Sequence, residues 1–121
     1  AAAYARAVSL DPAKTGLLRI GYGQALLASG KPEDVKKAIG ELSIGLDRDK
    51  EFVTGYRYLA QAYGMSGDVG MAELTTAEGH YHSGQLREAK VFAARAQQKL
   101  RKGSPAWVRA QDIINSRPPG R

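Results

Sequence analysis

The sequence predicts an all-α fold, a right-handed α-α superhelix of stacked helical hairpins with about seven helices. Three observations carry this. Apolar residues recur at helical spacing through most of the chain, and no stretch alternates like a half-buried strand. Gly30, Gly67, Gly84 and Gly103 divide the helical stretches, and glycine can end a helix in the left-handed conformation without a Cβ penalty. Each hairpin alone buries too little apolar surface to be stable, so neighbours must stack.

The chain opens at Ala1-Ala2-Ala3, already inside a helical pattern. We therefore expect a longer parent protein. Asp11-Pro12 stops the first segment, because a residue before proline is pushed away from helix. From Ala13 to Ser29, Leu17, Leu18, Ile20, Tyr22, Leu26 and Leu27 give a helix with a broad buried face. Gly21 and Gly23 each cost such a helix about 1 kcal/mol against alanine, so a close neighbouring helix is expected there. GYGQALL is a poor phosphate loop, since it lacks a third glycine and follows no strand. Pro32 starts the next helix, whose face carries Val35, Ala38, Ile39, Leu42 and Leu46.

Tyr56 to Ala72, YRYLAQAYGMSGDVGMA, is the best-formed unit. Tyr56, Leu59, Ala60 and Tyr63 make one stripe at i, i+3, i+4 and i+7. Gly67 ends that helix and Asp68 can cap the next, which runs to about His82. Gly84 to Ala89 repeats the step from Gly67 to Ala72, so the 68–82 helix is expected to serve both neighbours. Leu86, Ala89, Phe92, Ala93 and Ala96 mark another amphipathic helix. Ser104 and Pro105 then start a last one, where Trp107, Ile113 and Ile114 would cover the end of the stack.

These features resemble tetratricopeptide repeats, in a large residue, a large–small pair, an aromatic, a turn glycine and a buried alanine. The expected layout is one repeat domain over 1–116. It comprises a half repeat at 1–12, repeats at about 14–50, 53–83 and 84–102, a capping helix at 104–116 and an unstructured tail at 117–121. More narrowly, LLRIGYGQALLASG, YRYLAQAYGMSGDVGMAELTTAEGHYHSGQLREA and GSPAWVRAQDII resemble the C-terminal repeat domain of the BepA/YfgC-like zinc-dependent proteases of Gram-negative bacteria. That resemblance implies a periplasmic location and a role in outer-membrane protein quality control, with an HExxH zinc helix on a separate peptidase domain. This chain contains no HExxH, so no proteolytic residue carries over.

The remaining chemistry is sparse. There is no cysteine, hence no disulfide and no thiolate metal site. His80 and His82 are the only histidines, and an i, i+2 pair on a helix points its rings about 200° apart. No metal or cofactor is expected from that pair; a helix-end pair interacting with the C-terminal dipole is the reading favoured. Glu41, Asp47, Asp49 and Glu51 are interleaved with Arg48 and Lys50, a pattern of a solvated mixed-sign turn. Net charge is +6, but the cations Arg87, Lys90, Arg95, Lys99, Arg101, Lys102 and Arg109 are dispersed without aromatic stacking platforms. Nucleic acid is therefore not an expected partner. No apolar run reaches the roughly 18 residues of a membrane span, and no membrane insertion is expected.

A binding surface is the function left. By repeat position, a concave groove should show Ile20, Gln24 and Leu27 from one repeat and Arg57, Gln61 and Met65 from the next. Polar side chains flanked by apolar ones can hydrogen-bond an extended peptide backbone and take its side chains. The occupant would be a protein or peptide partner, or the peptidase domain of the parent chain. The Lys/Asn carboxylate clamp of some chaperone-binding repeats is not evident, since the sole asparagine, Asn115, stands in the last helix.

Overall fold

Glycine and short polar side chains punctuate the chain where local chemistry requires it. The computed structural model describes residues 15–50 and 52–117. The half repeat expected at 1–12, and residues 118–121 of the expected tail, lie outside the described residues. Within them the fold is all-α, with six helices and no strand. These are α1 (Thr15–Ser29), α2 (Pro32–Arg48), α3 (Val53–Met65), α4 (Val69–His82), α5 (Leu86–Lys99) and α6 (Pro105–Ile114).

Gly67 has φ +85° and Gly84 φ +80°. Around each, two backbone bonds close the preceding helix. Asp68 N–H donates to the Tyr63 carbonyl at 2.9 Å and Gln85 N–H to the His80 carbonyl at 2.9 Å, the six-to-one bond of a Schellman cap. The following helix is then started by a side chain where one is available. Asp68 Oδ1 accepts from Met71 N–H at 3.1 Å, and Ser104 Oγ accepts from Trp107 N–H at 3.2 Å. Each such bond satisfies one of the orphan donors of a first turn.

Consecutive helices pack on one another in a repeat-like array. The α1–α2 hairpin is closed by absence of a side chain: a Cβ on Gly23 would lie 2.5 Å from Leu42 Cγ. At Gly55 on α3 a Cβ would meet Leu46 Cδ2 at 2.8 Å and Ile20 Cδ1 at 3.2 Å, so α1 and α2 both press onto α3. The result is one apolar cluster shared by α1, α2 and α3, centred on Ile20, Leu42, Leu46 and Leu59. A second cluster, shared by α4, α5 and α6, is built largely of alanine, with Leu74 and Ile113 as its bulky members. Small residues let these helices approach closely. Trp107 is half-buried and stands outside that cluster, whereas Ile113 and Ile114 belong to it or pack on it.

Helix α4 packs against both α3 and α5. Its α3 side is again close: a Cβ on Gly79 would sit 3.0 Å from Tyr56 Cβ. Helices two apart in sequence touch at α1–α3 and α4–α6. Between α2 and α4, and between α3 and α5, no Cα pair of the described residues comes within 8 Å. Two open spaces follow, one on each side of the α3–α4 seam.

Candidate functional site

On one side of the α3–α4 seam lies a pocket of about 210 Å³, lined by α3, α4 and the turn that follows α4. Val53, Tyr56 and Ala60 line it from α3, and Thr76, Gly79 and His80 from α4. Arg57 stands at its wall, exposed and without an ion pair among the described residues. Gln61 and Met65 continue the same exposed face of α3, with the Gln61 amide 3.9 Å from the Met65 sulfur. His80 is fixed on the floor: its Nδ1 lies 2.7 Å from Gln85 Oε1, and its ring stacks on Phe92 with centroids 5.4 Å apart. Arg95 sits over the same Phe92 ring at 5.1 Å, a cation–π contact.

The six residues expected to line one groove are separated by the structure. Gln24, Arg57, Gln61 and Met65 are exposed. Ile20 and Leu27 are corrected to core positions, at 1 % and 6 % relative exposure. At Gly55, where a Cβ would meet Ile20 Cδ1 at 3.2 Å, α3 admits the Ile20 side chain, and Leu27 joins the same apolar cluster shared by α1, α2 and α3.

The second space lies between α2 and α4, over α3, and is a cleft of about 340 Å³. Tyr56, Leu59 and Tyr63 of α3 line it, with Asp47 and Lys50 at the end of α2, Thr75, Glu78 and His82 on α4, and Arg109 from α6. Arg109 is held by Glu78, which accepts from its Nε at 3.2 Å and from its Nη2 at 2.6 Å. Burial works against the charge of Arg109, but the hydrogen bonds and charge of Glu78 outweigh it and raise its pKa. Tyr56 is 6 % exposed and its ring stacks on His82 at 5.3 Å. Burial, then the nearby Glu78 carboxylate, pushes the Tyr56 phenol up to about 12.

Thr75 is buried at 1 % exposure, and its Oγ1 has no hydrogen-bond partner among the described residues. The adjacent Thr76 hydroxyl, by contrast, donates to the Ala72 carbonyl at 2.9 Å. Sequence spacing brings none of Tyr56, Thr75 and Arg109 together. The one local sign was a hydroxyl between Leu74 and Ala77 on a buried helix face.

Elsewhere the acidic group around the α2–α3 turn is dispersed. Glu41 pairs with Arg19 across α1 and α2 at 2.7 Å, Asp47 and Asp49 are exposed, and Glu51 lies outside the described residues. Among the described residues no three His, Asp or Glu side chains are grouped to hold a metal ion. No described helix is long and apolar enough to cross a membrane. Comparison of the chain with protein-family models, with characterised proteins and with solved structures gives no match.

Proposed function

We propose that this chain is a non-catalytic protein-interaction domain that holds an extended peptide segment along the exposed face of α3, over the pocket shared with α4. The carrying observation is the pocket of about 210 Å³ over α4, open to solvent beside Arg57, which has no ion pair among the described residues. An apolar side chain of the peptide would enter between Val53, Ala60 and Gly79, while Arg57 and Gln61 meet its backbone or flanking polar groups. Pockets of this kind give specificity, and main-chain hydrogen bonds give affinity.

Two settings for that groove are carried by the sequence resemblance. In the first, the chain is the accessory repeat domain of a periplasmic zinc metallopeptidase acting in outer-membrane protein quality control. The groove then presents substrate to the peptidase domain or docks on it. In the second, the chain is a free-standing adaptor.

Peptides selected from a random 12-residue display library on the wild-type chain test the groove itself. Arg57→Ala and Gln61→Ala should each weaken the selected peptides about tenfold, the loss of one hydrogen bond made to a charged or polar group. Unchanged affinity in both variants would remove this face from the reading. Sequencing the coding region upstream of Ala1 separates the two settings: an HExxH helix supports the first, and further repeats alone support the second.

A further inference from the structure

The pocket shared by α3 and α4 is small, apolar-walled and charged with one sign. Its volume of about 210 Å³ is below the roughly 300–1,000 Å³ of small-molecule sites, so it suits a single side chain. Val53, Ala60 and Gly79 give it apolar walls. No aspartate or glutamate lines it, and Arg57 is its one permanent charge. The cleft on the other side of the seam differs, because Asp47 and Glu78 there balance Lys50 and Arg109.

No described carboxylate neutralises Arg57. Helix α3 contains no acidic residue. The two glutamates of α4 are engaged elsewhere, Glu73 by Lys99 of α5 and Glu78 by Arg109 of α6. Arg57 is exposed and has no ion pair among the described residues. Beside the pocket, Arg95 lies over the Phe92 ring, and that ring stacks on His80. Glu88 is the only carboxylate of α5, against Arg87, Lys90, Arg95 and Lys99. The surroundings of the pocket thus carry an excess of positive charge.

The hydrogen bonds left to make have the matching polarity. Thr76 and Ser83 donate their hydroxyl hydrogens to the carbonyls of Ala72 and Gly79. Gln85 Oε1 lies 2.7 Å from His80 Nδ1. An amide oxygen can only accept, so Nδ1 carries the hydrogen and the Gln85 amide nitrogen keeps both of its own. The Arg57 guanidinium and the Gln85 amide are therefore side-chain donors in the lining without an acceptor among the described residues. An ionised carboxylate only accepts, and its bonds to a guanidinium are roughly twice as strong as neutral ones.

We propose, resting on the reading of this pocket as a peptide site, that the peptide it holds is acidic. One apolar side chain of leucine size fills the pocket, and a neighbouring aspartate or glutamate of the same peptide meets Arg57, with Gln85 as the second donor. The phosphates of a nucleic acid would leave the apolar walls unfilled.

The test uses the full chain, ¹⁵N-labelled, and peptides selected on it from the random 12-residue library. Binding is followed through the amides of Arg57, Thr76, Gly79 and Gln85. The selected peptides should carry aspartate or glutamate beside a large apolar residue. Replacing those acids by their amides should weaken binding about tenfold, and added salt should weaken the acidic form more than the amide form. Arg57→Glu should lose the acidic peptides and bind the versions with lysine in place of the acid. Arg57 is exposed, and the amide spectrum of the variant reports its fold. Peptides that move these resonances without an acidic preference, or bind equally well as amides, overturn the acidic ligand and leave the peptide site standing. Acidic peptides that bind Arg57→Glu as tightly as wild type do the same. Failure to select any peptide that moves these resonances overturns the peptide site, and the acidic ligand with it.

Discussion

Gly23→Ala should destabilise the chain by roughly 1–2 kcal/mol, although alanine is the better helix former by about 1 kcal/mol. The added Cβ would stand 2.5 Å from Leu42 Cγ, 2.9 Å from Cδ2 and 3.2 Å from Cδ1. Carbon atoms in contact prefer about 3.5–4.0 Å. Leu42 is fully buried, and its Cγ is the branch point only one carbon beyond the Cα-bound Cβ, so it has little room to swing. Either α1 moves off α2 by about 1 Å or Leu42 leaves its rotamer, and overpacking of this kind costs typically ~1–3 kcal/mol. Three close atoms place the cost toward the upper end of that range, which exceeds the propensity gain. Gly40→Ala on α2 is the internal control, because it is exposed and nothing lies within 4 Å of its would-be Cβ. It should gain up to about 1 kcal/mol. Urea unfolding at 25 °C measures both, with the midpoints compared at equal slope. If the two variants agree within about 0.5 kcal/mol, close packing of α1 on α2 at Gly23 is refuted.

Thr75→Val should raise stability by about 1 kcal/mol or more, since it removes an unsatisfied buried hydroxyl at nearly constant shape; a lowered thermal midpoint would show that the hydroxyl has a partner. Tyr56 gives a pH signature. Its folded pKa, about 12, lies above the ordinary value of 10.0. Its protonated form is thus favoured by folding, and that contribution is intact below about pH 10 and lost as pH rises toward 12. The loss is at most about 2–3 kcal/mol, and Tyr56→Phe should unfold less steeply than wild type over that interval. Gly79→Ala should cost less than Gly23→Ala, because its nearest contact, Tyr56 Cβ, is at 3.0 Å rather than 2.5 Å; equal urea midpoints for the two would contradict the distances. Ser104→Ala should lose about 1 kcal/mol through the missing cap on α6, read as a lower midpoint with unchanged slope.

The helices were legible because their signals are local. Gly67 and Asp68 stand next to each other and do complementary things, one ending α3 and the other capping α4. Ser104 and Pro105 are likewise adjacent, one capping α6 and the other opening its first turn. The double partnership of α4 was visible too, because two glycine-to-alanine steps lie only half a repeat apart. What failed was the exposure of Ile20 and Leu27. Repeat position tells which side of a helix faces a groove only if successive first helices leave a groove between them. Here Gly55, a residue far along the chain, admits Ile20 into the core, a contact that repeat position does not encode. The cleft was invisible for a related reason. It exists because α2 and α4 fail to touch, and no pattern within either helix encodes a separation from the other.

The division of the interior into two clusters has a consequence for how the chain opens. Tyr56 and Leu59 on α3 belong to one interior, and Leu74 and Ala77 on α4 to the other. The boundary between them is the α3–α4 seam, where Gly79 lets α4 close on Tyr56. Repeat arrays open as cooperative units joined by nearest-neighbour terms. The division between the two interiors therefore falls in the middle of the chain, between the two helices of its best-formed hairpin. Amide hydrogens of α1 to α3 and of α4 to α6 should exchange as two classes with separate opening free energies. A connecting turn as tight as Gly67-Asp68 would then act as a hinge, the one covalent link about which the halves reorient while each keeps its own interior dry.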